Sequence, residues 1–353
     1  MSKNEIFYSI IIFAFLGKIV QLFFLPDNYF YDSERVNYMV VAPGNKYSWG
    51  GSYEVTADIF RKINFLNFTT IEQWSILIGI IFSLILIRLL NNSNIKNDRE
   101  KLFLWCSVGL LNIYVFNIGK DIVQYVIFLF VYLVCFLNCK TSVKAILISL
   151  IFYYESTFFR SYYLIMAGLF LVVFTILRKL TVNRHRIIFA FLLIFASMFL
   201  AVYLLQFINP DDYDELLTIK TYNENKDANT AINNLITGNS FRVFVMNYFI
   251  DLIRLIFPIE LLFKGFGYIP FLIFMFLLIM FIKDLIGSYN NINEEIVLYL
   301  SIFIAYVLVS ALFEPDFGSW ARHLSAAMPL IYLVVFKSND TSVKRVESEN
   351  TKT

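Results

Sequence analysis

The sequence predicts an all-α, polytopic integral membrane protein, and two observations carry that prediction. Of its 353 residues, 59% are hydrophobic and only 16% are charged, whereas soluble domains are about 45–50% apolar and about 25% charged. Long apolar runs also recur along the whole chain, and most can cross about 30 Å of hydrocarbon. This composition excludes a soluble enzyme, a disordered chain and a nucleic-acid-binding protein, because nucleic acid demands a basic surface.

The apolar runs predict about ten transmembrane helices. The first run, 7–25, is too long for a signal-peptide core and is interpreted as a retained anchor. The other predicted spans are 74–90, 102–118, 122–137, 143–154, 162–177, 187–207, 266–282, 296–313 and 324–336. A further stretch, 241–263, is ambiguous because Asn247, Asp251, Arg254 and Pro258 recur along one helical face. That pattern is typical of a helix that lies on a membrane or lines a cavity.

Charge favours ten spans over eleven. The positive-inside rule places basic clusters in the cytoplasm, and ten spans, with 241–263 not crossing, place all of them there. The clusters are Arg88/Lys96/Arg99/Lys101, Arg178/Lys179/Arg184/Arg186 and Lys337/Lys344/Arg345/Lys352. The sequence therefore predicts one membrane domain, 1–336, a cytoplasmic polar tail, 337–353, and two long outer loops, 26–73 and 208–265. Both termini are then cytoplasmic, whereas eleven spans would put the tail outside.

Charged side chains recur beside the spans on the predicted outer face. They are Lys120 with Asp121, Glu155 with Arg160, and Glu314, Asp316, Arg322 and His323. Charge at this depth is costly and usually faces a wet cavity or another charge. Arginine offers a fork of donors suited to phosphate, and lysine offers a point charge. Snorkelling and local ion pairing remain the alternative interpretation.

Two acidic stretches are weaker candidates for a site. Asp32 and Glu34, near the start of the first outer loop, can position a hydroxyl or a metal ion. Four carboxylates in the second loop, Asp211, Asp212, Asp214 and Glu215, can bind a divalent cation, but a solvated loop is the favoured interpretation. We therefore predict no cofactor and no metal ion.

Four short motifs together resemble the Wzy-type polymerases of bacterial surface polysaccharides, including their EpsG-like relatives. The motifs are Asp32-x-x-Arg35-x-x-Tyr38 reaching Tyr53-Glu54, Phe116-Asn-Ile-Gly-Lys120-Asp121, Phe159-Arg160-Ser-Tyr162-Tyr163-Leu, and Ala321-Arg322-His323. The chain departs from the EpsG-like pattern at Lys120-Asp121, where an Arg-Gln pair is common.

The resemblance implies a glycosyltransferase that moves a growing glycan from undecaprenyl pyrophosphate to the next lipid-linked repeat unit, at the outer face of the bacterial inner membrane. The product would be an O-antigen or a capsule, and the partners would include a flippase and a chain-length regulator. Lys120, Arg160 and Arg322 suit the diphosphate. The acceptor hydroxyl needs a base, for which Asp32, Asp121, Glu155 and His323 are unranked candidates.

Two other functions stay open at this level. A flippase for the same lipid-linked unit would typically show two similar halves and more glycine and proline than the 13 and 7 residues found here. A glycosyltransferase that uses a polyprenyl-phosphate sugar would favour Asp32 and Glu34 as its centre and would usually carry a soluble domain.

Overall fold

The computed structural model describes residues 1–26, 29–44, 50–91, 93, 95–179, 184–208, 210–221, 229–238, 240–287 and 293–337. Within those ranges the regular structure is helical, without strands, and the only β-type pairing is an isolated bridge between Ala231 and Asp316. The all-α prediction is therefore confirmed. Most of the predicted tail, from residue 338 onward, lies outside the described ranges.

Fifteen α-helices are described, in chain order. They are α1 (Lys3–Ile19), α2 (Tyr31–Val41), α3 (Ser52–Ile63), α4 (Ile71–Leu90), α5 (Asp98–Leu110), α6 (Lys120–Cys135), α7 (Thr141–Phe158), α8 (Tyr163–Lys179), α9 (Arg184–Ile208), α10 (Pro210–Thr221), α11 (Phe241–Ile256), α12 (Ile269–Gly287), α13 (Glu294–Phe313), α14 (Phe317–Ala326) and α15 (Met328–Tyr332). Short π-helical segments, Val20–Phe24, Leu111–Val115 and Leu333–Lys337, continue α1, α5 and α15.

Five helical segments in the described part of the chain are long and apolar enough to cross a membrane. They are Lys3–Phe24, Ile71–Leu90, Ile188–Phe207, Phe266–Gly287 and Glu294–Phe313. Each coincides with a predicted span. The remaining predicted spans also fall on helices, but those helices are shorter, less apolar or interrupted. The count of ten spans therefore stays a prediction.

The chain divides into two compact units. The first consists of Met1–Leu133, Tyr154–Ser161 and Arg322–Thr353, and the second of Val134–Tyr153 and Tyr162–Ala321. In the first unit, α1 packs against α4 and α5, and Phe13 stacks on Trp105. Helix α15 belongs to the same core, because the Ser107 and Tyr332 hydroxyls lie 2.9 Å apart. This unit contains every residue of the site described below.

In the second unit, α13 packs along α8 and α11 packs against α10 and α13. The ambiguous stretch 241–263 is indeed amphipathic, and its polar side faces inward. Asn247 and Asp251 are buried, and the Lys220 ammonium on α10 lies 3.1 Å from the Asp251 carboxylate. The opposite side of α11 exposes apolar side chains, among them Met246, Phe249 and Ile253. A helix whose outer side faces water has the opposite arrangement, with polar side chains outside and apolar side chains inside.

Helices extend further than the sequence predicted at three places. Glu155, expected in a turn, lies in the last turn of α7, and Arg322 and His323 lie inside α14, which begins at Phe317. The acidic run at 211–215 was expected to be a loop, but it lies in α10.

Candidate functional site

Asp32, in the first turn of α2, is the centre of a charged cluster. Its Oδ2 lies 3.0 Å from Arg322 Nη1 and 3.4 Å from Lys120 Nζ, and the Tyr53 hydroxyl donates to Oδ1. Burial alone would raise the pKa of Asp32, but Arg322, Lys120 and the Tyr53 hydroxyl outweigh it and hold that pKa well below its usual range. A carboxylate stabilised in this way is a weak proton acceptor near neutral pH.

Tyr53, at the start of α3, covers one side of this ion-pair group. The Lys120 ammonium lies 3.8 Å from the centroid of the Tyr53 ring, which is a cation–π distance. Burial and the neighbouring Asp32 carboxylate raise the pKa of Tyr53 to about 12, so its hydroxyl keeps its proton and remains a donor. The ring and the hydroxyl therefore act on different members of the same ion pair.

A second group forms around Asp121, the residue after Lys120. Asp121 Oδ1 lies 3.7 Å from His323 Nε2 and 3.9 Å from Arg160 Nη2. The Arg160 Nη2 atom is also 3.4 Å from His323 Nε2. A guanidinium nitrogen can only donate, so Nε2 is the acceptor in this contact.

The two groups form one cluster, which we call the Asp32–Asp121 cluster: Asp32, Lys120, Asp121, Arg160, Arg322 and His323. Lys120 interacts electrostatically with both carboxylates and both arginines. Asp32 likewise interacts with His323. The structure thus brings together six of the seven side chains that the sequence selected as catalytic or diphosphate-binding candidates.

Glu155 is the seventh candidate, and it stands apart from these ion pairs. It is buried, with 1% of its surface exposed, and its polar neighbours are Gln124 and Arg160. The other three base candidates have more exposed side chains: 19% for His323, 16% for Asp32 and 8% for Asp121. Glu155 is therefore the least accessible of the four base candidates.

A partly open pocket adjoins the cluster. Asp32, Asp121 and Arg322 contribute to its wall, together with the aromatic residues Tyr29, Phe30 and Tyr114. Its lining therefore combines ionised groups with flat apolar rings. Rings of this kind offer stacking surfaces, and the arginine offers paired donors for an anion.

Sequence reasoning missed two members of this environment as site residues. Tyr53 belongs to a motif that the sequence showed, but its role follows from the fold of α3 against α2. Gln124 is a polar residue inside an apolar run, four positions after Lys120, and helical spacing puts both on one face. That spacing is a signal that could have found Gln124.

The acidic run at 211–215 belongs to the second unit. Asp211 and Asp214 are exposed, and the side chains of Asp212 and Glu215 lie outside the described part. Among the described residues, no group of three or more His, Cys, Asp or Glu side chains is arranged to hold a metal ion.

The chain was compared with known proteins at three levels. No protein-family model, no curated protein sequence and no solved structure matches it.

Proposed function

We propose that this chain is a polymerase of lipid-linked oligosaccharide repeat units for a bacterial surface polysaccharide, an O-antigen or a capsule. The observation that carries the proposal is the gathering of Lys120, Arg160 and Arg322 with a histidine and two carboxylates beside one pocket. The three cations of the cluster offer charge-assisted donors, and a diphosphate offers the anionic oxygens that such donors bind.

The reaction uses the cluster's parts in two ways. The acceptor sugar hydroxyl attacks the anomeric carbon of the growing glycan and forms the new glycosidic C–O bond. The bond from that carbon to the undecaprenyl diphosphate breaks, and the diphosphate leaves with the bonding electrons. Arg322, Lys120 and Arg160 stabilise the leaving charge. His323 is the most exposed of the four base candidates, and its Nε2 takes the hydroxyl proton after exchanging its contact with Arg160 for the substrate hydroxyl.

No nucleotide is needed for this transfer, because the diphosphate link already activates the donor sugar. Two lipid-linked substrates meet in each round, which gives a reason for cations beside both Asp32 and Asp121. The partners would be the bilayer, a flippase that delivers the repeat unit and a chain-length regulator.

We further propose ten spans with both termini in the cytoplasm of the inner membrane, so that the cluster faces outward. One feature of α11 supports the version in which 241–263 does not cross. Its exposed apolar side suits the lipid surface, while its polar side is occupied by the Lys220 and Asp251 ion pair.

Reporter fusions test this topology. Fusions after Ser93, Asn225 and Ser348 are expected to report inside, outside and inside. An outside signal at Ser348, with the other two as expected, would show that α11 crosses the membrane. The charge reasoning for that stretch would then be wrong.

The function is tested by deleting the gene and examining the surface glycan by gel electrophoresis, with mass analysis of the shortest band. Loss of the polymerase leaves synthesis, export and ligation of one unit intact, so the ladder is expected to collapse to core plus one repeat. Loss of a flippase would leave no unit outside, and loss of a glycosyltransferase that completes the unit would truncate the repeat itself. An unchanged ladder would contradict the proposal.

A further inference from the structure

Lys18 is a cation inside the first apolar helix, and the cluster does not use it. It lies near the end of α1, in a segment long and apolar enough to cross a membrane. Its Nζ donates to three acceptors: Gln21 Oε1 at 2.7 Å, Ser75 Oγ at 2.8 Å and the Phe116 carbonyl at 2.6 Å. An ammonium has three donor protons, so these contacts use all of them.

The side chains around Lys18 form a closed polar group. Ser75 and Gln21 are buried, and the Ser75 hydroxyl donates to the same Gln21 oxygen at 2.7 Å. Gly79 leaves room for the lysine chain, because a Cβ at position 79 would lie 2.4 Å from Lys18 Cε. Residues of α4, Ser75 and Gly79, therefore help to determine the position of the Lys18 side chain.

The Phe116 carbonyl is the one main-chain acceptor in this group. The π-helical segment Leu111–Val115 ends at Phe116, whose backbone leaves the helix at φ −78° and ψ 61°. The next helix, α6, begins only at Lys120. A buried carbonyl at such a break has lost its helical partner and needs another donor. Lys18 supplies that donor.

The same break leads directly into the candidate site. Between Phe116 and Lys120, the Asn117 side chain donates to Ser33 Oγ at 3.3 Å and its oxygen accepts from the Ile118 amide at 2.8 Å. Ser33 is the neighbour of Asp32. The segment is thus held by Lys18 at its start and by Ser33 beyond it, before Lys120 and Asp121 enter the cluster.

We propose that Lys18 is a positioning residue that fixes the break at Phe116 and so holds Lys120 and Asp121 in the Asp32–Asp121 cluster. The part of the proposal in which Lys18 holds the backbone at Phe116 depends only on the contacts described above. The part in which this supports diphosphate binding by the cluster rests on the proposed function. The two parts are therefore tested by separate measurements.

Hydrogen exchange of the purified full chain tests the fixing of the break. In Lys18→Met the amides of residues 116–121 are expected to exchange at least tenfold faster than in the unsubstituted protein. Gly79→Ala is expected to act in the same direction, because its methyl group displaces Lys18. The controls are Lys283→Met, an exposed lysine in another apolar helix, and Gly168→Ala, where a Cβ meets no atom within 4 Å. Unchanged exchange at 116–121 in both test variants would overturn the proposal.

A double-mutant cycle with inorganic pyrophosphate as the probe tests the consequence. Lys18→Met and Lys120→Ala should each weaken binding about tenfold, and the double variant should bind no more weakly than Lys120→Ala alone, because Lys18 acts through that segment. Additive losses would overturn the link between Lys18 and the cluster. If the unsubstituted protein does not bind pyrophosphate, the proposed function fails, and the exchange result still decides the fixing role by itself.

Discussion

Each of the two units contains a group of charged side chains, and the two groups differ in how far they are exposed. In the Asp32–Asp121 cluster, three cations face two carboxylates, and the side chains of Asp32, Lys120 and Arg322 keep 14–21% of their surface exposed. In the second unit, Lys220 and Asp251 form a pair at 3.1 Å with only 1% and 2% exposed. The first group is partly exposed beside a pocket, whereas the second is enclosed.

The enclosed group also satisfies its members locally. Lys220 donates to the Glu314 carbonyl as well as to Asp251, and Arg254 donates to both Asp251 and Glu260. Burial lowers the pKa of Lys220, the adjacent Asp251 carboxylate opposing it. These contacts join α10, α11 and the segment after α13. We therefore interpret the Lys220–Asp251 pair as a structural contact and the Asp32–Asp121 cluster as the site of the proposed reaction.

The largest effect on stability is expected for Lys220→Met. Among the described contacts, it leaves the buried Asp251 with the longer ion pair to Arg254, and breaking a buried ion pair from one side costs about 3–5 kcal/mol. Thermal unfolding in detergent is expected to show this loss, with the specific activity of the remaining folded protein unchanged. Lys264→Met, at an exposed position, is the control. The double variant Lys220→Met/Asp251→Leu should recover most of the stability, and failure to do so would show that the pair does more than neutralise itself.

The largest effect on activity is expected for Arg322→Ala and Arg160→Ala. Each loses charge-assisted contacts worth about 1.5–3 kcal/mol, which corresponds to about a ten- to hundredfold loss of polymerisation. Arg322→Lys should recover only part, because the forked geometry is lost. Chain length on gels at matched expression measures the effect.

Arg61→Ala is the matched control, since Arg61 is exposed and pairs with Asp58 one turn away on the same helix. Normal long chains from Arg160→Ala would remove that residue from the site. Polysaccharide chains of normal length from both Arg160→Ala and Arg322→Ala would show that the Asp32–Asp121 cluster is no more functional than the Lys220–Asp251 pair.

The sequence was informative where a single physical rule dominates. The apolar runs marked helices correctly, because an apolar stretch has few alternatives to a helix in a membrane. The charged candidates were found because charge beside an apolar span is costly. Ranking them was impossible from sequence alone. Asp32 and Asp121 carry the same group, and only the fold shows that Asp32 is neutralised by Lys120 and Arg322 while Asp121 meets His323.

Long-range partners account for the rest of what was missed. The role of Lys18 could not be inferred from the sequence, because its acceptors Ser75 and Phe116 are 57 and 98 positions away. The polar face of α11 could be recognised by its spacing, but its partner Lys220 lies 31 positions earlier. Helical periodicity identifies a face and contains no information about which element covers it.

The smallest effect, and the sharpest test of how the cluster is held, is expected for Tyr53→Phe. The ring over Lys120 remains, and only the hydroxyl that donates to Asp32 is lost. Because the folded-state pKa of Asp32 is depressed, its contribution to stability is present above its unfolded value of about 3.9 and is lost as the pH falls through the folded value. Removing one donor reduces the depression, so the stability lost near pH 7 is expected to be about 0.5–1.5 kcal/mol.

The unfolded chains of the two proteins titrate alike, so that difference stays constant wherever Asp32 is ionised in both folded proteins, and it shrinks only at a pH well below the usual range of an aspartate. Removal of the carboxylate therefore tests the link: Tyr53→Phe is expected to lower the unfolding midpoint at pH 7 in the unsubstituted background and to change it little in the Asp32→Ala background. Tyr31→Phe, at an exposed tyrosine beside Asp32, is the control. An equal loss in both backgrounds would show that the Tyr53 hydroxyl acts through groups other than the Asp32 carboxylate. A loss that needs the carboxylate would show that a neutral donor helps to hold Asp32 in the cluster, a contact that has no counterpart among the described contacts of the Lys220–Asp251 pair.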